Sequence, residues 1–243
     1  MPFGLCNAAQ TQQRLMDSIF GPSMDDSVFV YLDDIIIATP TFEKHLEVLQ
    51  EVHRRLKEAN LTINLKKCKF CLPSLKYLGF VIDQNGLRTD PEKVTAMLNF
   101  PKLETVTQLK RFLGMCGYYR RFLKNFSSLT APMTALMKGK RKTQKLEWNE
   151  EAKQCFTQIK EVLVSAPLLA SPDYKKPFSI HCDASSVGLG CMLSQTNENG
   201  EEVTVAYASR TLSEQEKRYT VTELELAAVL FGVEKFRPYV EGA

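Results

Sequence analysis

The sequence predicts an α/β chain whose organisation changes twice along its length. Three observations predict it. Helical and strand-type apolar periodicities alternate from the start. The pattern turns helical after Gly86. Strand-like runs return after Pro177, and one long helix follows them.

Residues 8 to 20 predict a helix with Leu15, Met16, Ile19 and Phe20 on one face, stopped by Gly21-Pro22-Ser23. Residues 28 to 38 are two apolar, β-branched runs that meet at two aspartates. They predict a hairpin with Asp33-Asp34 at its turn. Across residues 42 to 60, Leu46, Leu49, Val52, Leu56 and Ala59 recur at helical spacing. Leu75 to Ile82 predicts one strand, and Asp83-Gln84-Asn85-Gly86 a hairpin turn. Pro91 suits the first turn of a short helix that Pro101 ends. The stripe Leu109, Phe112, Leu113, Cys116, Tyr119, Phe122, Leu123 and Phe126 predicts a helix over 107–126. Another follows over 148–164, with Phe156, Ile159 and Leu163 on one side. Phe178 to Leu193 and Val203 to Ala208 predict strands with Asn199-Gly200 as the turn between them. A helix then runs from about Thr222 to Phe236.

At 243 residues, with 44% hydrophobic and 24% charged side chains, the chain can build ordinary cores, and disorder is excluded. A net charge of +3 is too weak to argue for nucleic-acid binding, so local clustering carries that question. No apolar run approaches the ~20 residues of a membrane span, and the start has no basic, apolar leader. Seven scattered cysteines, an odd number, predict a reduced intracellular protein and not a disulfide scaffold. Cys68-x-x-Cys71 has no second pair at zinc spacing and reads as an ordinary segment between strands.

Chemistry begins with Tyr31-Leu32-Asp33-Asp34. Two adjacent carboxylates between apolar strands repel one another unless a cation neutralises them. Mg²⁺ prefers carboxylate and phosphate oxygens, and two such ions suit phosphoryl transfer. On the pair alone, a plain polar turn is the commoner reading, because Asp is frequent in turns.

The surrounding segments resemble the reverse transcriptases of gypsy-like LTR retrotransposons, relatives of retroviral polymerases, over essentially the whole chain. Met1-Pro2-Phe3-Gly4-Leu5-Cys6-Asn7-Ala8 looks like the palm motif near the incoming nucleotide. Tyr31-Leu32-Asp33-Asp34 matches the family's Tyr-x-Asp-Asp signature. Tyr77-Leu78-Gly79-Phe80 matches the segment that grips the primer end. Phe112-Leu113-Gly114 and Tyr118-Tyr119-Arg120-Arg121-Phe122 resemble the thumb. The resemblance implies three parts: a partial palm over 1–86, a helical thumb and connection over 87–172, and the N-terminal part of an RNase H-like mixed sheet over 173–243. It also implies nucleotide contacts at Gly4, Leu5, Cys6 and Tyr31, and primer contacts at Tyr77, Leu78, Gly79 and Phe80. The expected partners are a primer-template, an RNA–DNA hybrid and deoxynucleotides, with Mg²⁺ as cofactor. The expected compartment is cytoplasm or virus-like particles, with no membrane.

A second constellation is His181-Cys182-Asp183-Ala184-Ser185 with Gly188-Leu189-Gly190, followed by Glu223-Leu224-Glu225-Leu226-Ala227. By motif position, the resemblance implies Asp183 and Glu225 as metal-holding residues of an RNase H site. On the residues alone, Thr222-x-x-Glu225 is also a capping box. His181 reads as packing. The basic run Lys138, Lys140, Arg141, Lys142 and Lys145 has two readings, a duplex-backbone contact or a solvated loop. Tyr118, Tyr119 and Phe122 read as thumb core in preference to a base-stacking platform.

The resemblance also implies missing parts. The family polymerase uses a third aspartate upstream of the first motif, and the family RNase H uses further aspartates downstream. The chain alone is therefore expected not to polymerise. In the first motif, Gln12 stands where the family has an aromatic, which puts a polar group where a ring is buried and suggests a decaying copy or a gene model that begins at an internal methionine. The alternative to an enzyme fragment is a non-catalytic nucleic-acid-binding remnant.

Overall fold

The structure is a computed structural model that describes residues 4–21, 24, 27–101 and 103–241. The chain packs as two compact units, Met1–Phe70 and Cys71–Ala243.

In the first unit, α1 (Ala8–Phe20) and α2 (Phe42–Glu58) flank a hairpin of β1 (Val28–Tyr31) and β2 (Asp34–Ile37). Its core is Met16, Phe20, Met24, Val28, Val48, Val52 and Leu56. Leu15 and Leu46, expected on the inner faces, are exposed. The buried stripe of α2 runs through Val48, Val52 and Leu56, at i, i+4 and i+8. Arg55 of α2 donates to the carbonyls of Ile19 and Phe20, satisfying the orphan acceptors at the end of α1. Gly21 follows as the C-cap; Pro22 and Ser23, also expected to stop this helix, lie outside the described residues.

The second unit opens with an antiparallel meander of β3 (Ser74–Tyr77), β4 (Phe80–Asp83) and β5 (Gly86–Thr89). Then come α3 (Pro91–Leu98), α4 (Val106–Tyr118), a 3₁₀ turn at Arg120–Phe122, α5 (Phe126–Ala135) and α6 (Glu150–Val164). A second antiparallel sheet has β6 (Ser179–Ala184), β7 (Gly188–Thr196) and β8 (Glu202–Thr211) in that order, and α7 (Val221–Val240) packs on it. The overall class, mixed α/β, is as the sequence predicts.

Three expected elements are divided. The strand over 75–82 is two strands joined by a turn at Leu78-Gly79, both residues having positive φ. The helix over 107–126 stops at Tyr118, and Asn125, in the left-handed region, starts α5. The strand over 178–193 is β6 and β7, separated where the Ser185 hydroxyl accepts from the amides of Val187 and Gly188.

Packing does not follow the divisions expected after residues 86 and 172. The main cluster holds Leu109, Phe112, Cys116, Tyr119, Phe122, Met133, Ile159 and Leu163. Phe80 and Leu87, which precede the helices in the chain, and Tyr207, which follows them, all pack on it. Four-residue strands bury too little to stand alone, so the meander shares the helical core. Leu87 and Leu169 exchange backbone hydrogen bonds of 2.8 and 2.9 Å, tying β5 to the segment before β6.

Candidate functional site

Asp33 and Asp34 lie at the hairpin of the first unit. Tyr31 pairs with Asp34, which leaves Leu32 and Asp33 as a two-residue loop. Leu32 has φ +58, an unusual conformation for a bulky side chain. Gln13 of α1 supports it: its Oε1 accepts from Leu32 N at 2.8 Å, and its Nε2 donates to Val30 O at 3.3 Å and Asp17 Oδ1 at 2.9 Å. Asp33 and Asp34 are exposed, and neither forms an ion pair with a described residue. Their two charges are thus left without a neutralising side chain among the described residues, and an all-oxygen pair suits a hard cation.

Gly4, Leu5 and Cys6 form an exposed turn before α1, with Gly4 at φ +92. Met1, Pro2 and Phe3 of the same motif lie outside the described residues. Tyr31 is half exposed at the end of β1, directly across from Asp34. Gln12 is half-buried in α1, and its side chain makes no hydrogen bond to a described residue. Its neighbour Gln13 carries the side-chain hydrogen bonds, a role that its place in the first motif did not reveal.

In the second unit, Tyr77, Leu78, Gly79 and Phe80 form a tight turn, not the middle of a strand. Positive φ at both loop positions is the type I′ pattern, and Gly79 adopts it without a Cβ penalty. Two consecutive tyrosines clasp this turn. Tyr118 donates to Leu78 O, and Tyr119 donates to Gly79 O at 2.7 Å. Burial pushes the Tyr119 phenol up to about 12, so it stays a neutral donor. Phe80 stacks on Tyr118 at 5.0 Å between centroids and meets Tyr119 edge-on at 5.6 Å. Tyr119 and Phe122 are core residues, as expected, and Tyr118 is half exposed.

The basic run is pinned by its backbone to the start of α4. Thr107 N donates to Lys142 O, Val106 N to Gln144 O and Leu146 N to Glu104 O. Lys138 and Lys140 have distant acidic partners, Glu214 at 3.7 Å and Glu147 at 3.6 Å. Arg141, Lys142 and Lys145 are exposed without an ion-pair partner among the described residues. The segment is therefore an anchored display of charge.

Asp183 lies on β6 opposite Gly190. The flanking pairs, Cys182 with Cys191 and Ala184 with Leu189, pack toward α7. Strand alternation turns Asp183 to the other face. There a Cβ on Gly190 would meet Asn125 Oδ1 at 2.5 Å. Glu225 stands exposed in the first turns of α7. The capping box at this helix is Thr220 with Glu223, and the Glu223 carboxylate accepts from Thr220 N at 2.7 Å. The box expected at Thr222 and Glu225 is not formed. Thr220 and Thr222 offer the same spacing two residues apart, and the earlier one starts the helix, so Glu225 is not consumed by a cap. His181 bonds to Ser194 and Glu202, linking all three strands. Among the described residues no group of three or more His, Cys, Asp or Glu gathers as a metal site.

Comparison with known proteins identifies the family. Residues 1–82 match reverse transcriptase (RNA-dependent DNA polymerase), and residues 148–243 match the RNase H-like domain found in reverse transcriptase. The second match begins earlier than residue 173 and takes in α6. The chain is 38% identical over 244 residues to the retrovirus-related Pol polyprotein from transposon 297 of Drosophila melanogaster, spanning 100% of this chain and 22% of that protein. It is 34% identical over 252 residues to the Pol polyprotein from transposon gypsy of the same organism, spanning 100% of this chain and 24% of that protein. Among solved structures, the foamy viral protease-reverse transcriptase in complex with dsDNA superimposes with a TM-score of 0.87 at 25% identity. That match covers 100% of this chain and 50% of the other. Its complex with RNA/DNA hybrid gives 0.85 at 25% identity, over 100% and 32%. The chain belongs to the reverse transcriptase and RNase H region of gypsy-type Pol polyproteins. It spans about a fifth to a quarter of these curated relatives. Both matched domains are of divalent-metal-dependent kinds. No described helix is long and apolar enough to cross a membrane.

Proposed function

We propose that this chain supplies part of an RNA-directed DNA polymerase with RNase H activity. Residues 1–86 are its palm portion, 87–172 its thumb and connection, and 173–243 the start of its RNase H-like domain. The observation that carries the reading is the Asp33-Asp34 pair: two unneutralised carboxylates, one in the strained Leu32-Asp33 loop held by Gln13 and one at the start of β2. Asp33 and Asp34 would hold Mg²⁺, which supplies charge neutralisation at the attacking and leaving oxygens of nucleotidyl transfer. Gly4, Leu5, Cys6 and Tyr31 would lie along the deoxynucleotide, and Tyr77 to Phe80 against the primer end. Lys138, Lys140, Arg141, Lys142 and Lys145 would follow the phosphates of a primer-template or hybrid. Asp183 and Glu225 are the proposed carboxylates for hybrid cleavage. The structural relatives bound to dsDNA and RNA/DNA hybrid support nucleic acid as substrate. The working compartment in this reading is cytoplasm or virus-like particles. The non-catalytic remnant is the less favoured reading, because both family matches and the Pol relatives fit an enzyme fragment.

The test is primer extension with Mg²⁺ and deoxynucleotides, run on this chain and on its polyprotein extended upstream. Extension that needs the upstream sequence and is abolished by Asp33→Asn supports the reading. An Asp33→Asn polyprotein that still extends primers refutes it.

A further inference from the structure

A cleft of about 540 Å³ opens between the end of α4, β8 and α7, all within the second unit. Its size is that of an ordinary small-ligand site. Arg120, Arg121, Arg210 and Lys235 line it, and no carboxylate among the described residues does. Four cations around one concavity are costly unless an anion answers them.

Among the described residues, existing partners answer only Arg210 with a carboxylate. Arg210 is paired: its guanidinium makes 2.6 and 2.7 Å bonds to Glu216 and lies 5.3 Å from the Phe231 ring. Arg121 donates Nη2 to Tyr239 Oη at 3.2 Å, but its buried Nε has no partner among the described residues. A buried guanidinium donor left unmade is expensive, and Arg121 itself lines the cleft. Arg120 and Lys235 are exposed at the rim with no ion-pair partner among the described residues. Glu234, which acts on Arg210 electrostatically, is not in the lining.

We propose that this cleft is an anion site that receives a backbone phosphate of a bound nucleic-acid strand, separate from the Lys138–Lys145 run. The planar guanidinium of Arg121 suits phosphate oxygens. Arg120 and Lys235 add rim charge that steers the strand. The inference rests on the reading that the chain binds nucleic acid.

The experiment uses the 243-residue chain and labelled double-stranded DNA, titrated at several salt concentrations. The variant carries Arg120→Gln and Lys235→Gln, two exposed residues whose loss leaves the core intact, with circular dichroism confirming the fold. Each lost phosphate contact should make the log–log salt slope less negative by roughly 0.9, so the double variant should shift it by about 1 to 2. In parallel, phenylglyoxal modification of Arg120 and Arg121 is mapped by mass spectrometry with DNA, inorganic phosphate or a deoxynucleoside monophosphate at matched ionic strength. Protection by DNA alone, with the slope shift, supports the proposal. An unchanged slope with no protection, while the chain still binds DNA, overturns the cleft and leaves the broader reading standing. Equal protection by inorganic phosphate or the mononucleotide overturns the assignment to a strand. A chain that binds no DNA at any salt overturns both.

Discussion

The Oε1 of Gln13 accepts a 2.8 Å hydrogen bond from the amide of Leu32, the residue whose φ of +58 shapes the turn before Asp33. The helix α1 thereby fixes the position of a two-residue loop nineteen residues further along the chain. Leucine at a positive φ stores strain of about 1 to 3 kcal/mol, which only surrounding structure can hold. Gln13 supplies part of that hold.

Replacing Gln13 tests it. Gln13→Ala removes the acceptor for Leu32 N and the donor to Val30 O, each worth about 0.5–1.5 kcal/mol. The Leu32 amide should lose protection in hydrogen exchange, while amides inside α2 keep theirs. Gln13→Glu keeps an acceptor but loses the donor and faces Asp17, so Leu32 should stay protected as the hairpin loosens at Val30. Equal protection of Leu32 in parent and Gln13→Ala would show that the turn holds itself.

The Tyr118–Tyr119 pair makes a graded prediction. Tyr119→Phe keeps the buried ring and removes its bond to Gly79 O, which retains a 3.3 Å bond from Asp90 N. It should therefore cost only about 0.5–1.5 kcal/mol in urea unfolding. Phe80→Ala removes contacts with Tyr118, Tyr119 and Phe122 together and should cost about 3–5 kcal/mol. If Tyr119→Phe proved the worse of the two, the hydrogen bond and not the aromatic cluster would be the main support of the turn.

How much of this was legible in the sequence differs from one element to the next. The helices α1, α2 and α6 and the Asp33-Asp34 hairpin follow from apolar spacing and fall within a residue or two of expectation. The turn at Leu78-Gly79 was not legible, because Leu at a positive φ gives no turn signal and Tyr-Leu-Gly-Phe reads as a continuous apolar strand. The groups that hold it come from forty residues away, in the rings and hydroxyls of Tyr118 and Tyr119. The same holds for Gln13: its helical environment looks ordinary until β1 folds beside it. Glu225 shows a different limit, since two overlapping capping boxes share one spacing and only the strand-to-helix path selects Thr220. The cleft around Arg121 joins residues from three separated elements, which no local pattern reports.

Glu216 gives a pH prediction. Arg210 is the main reason its carboxyl is held down at about 2, with the Ser213 amide assisting. A depressed folded value means that the unfolded chain takes up the proton first. The contribution is complete above about pH 4.5 and is lost as pH falls toward 2. Glu216→Gln should be less stable than the parent at pH 7, and the difference should shrink steadily between pH 4.5 and pH 2. A constant difference across that range would mean that the ion pair contributes nothing to folding.

Gly86 offers the sharpest contrast in the second unit. Its φ is +136, and a Cβ there would sit 2.1 Å from Leu169 O, the carbonyl that accepts from Leu87 N. Gly86→Ala must therefore both strain the backbone and push apart the β5 bridge to Leu169. The turn at Leu78-Gly79 belongs to the same three-stranded sheet, so the damage should reach Tyr119. A loss of several kcal/mol in urea unfolding is expected, on the order of other severe single changes. Hydrogen-exchange protection at Leu87 and Leu169 should fall with it. Gly114 is the control: it lies inside α4, and an alanine Cβ there would meet no described atom within 4 Å. Gly114→Ala should stabilise the chain by roughly 0.5–1 kcal/mol through helix propensity alone. If Gly86→Ala were as well tolerated as Gly114→Ala, the close approach of β5 to Leu169 would not be a feature of the folded protein. The sharing of one core between the meander and the helices would then have to rest on the apolar contacts of Phe80 and Leu87 alone.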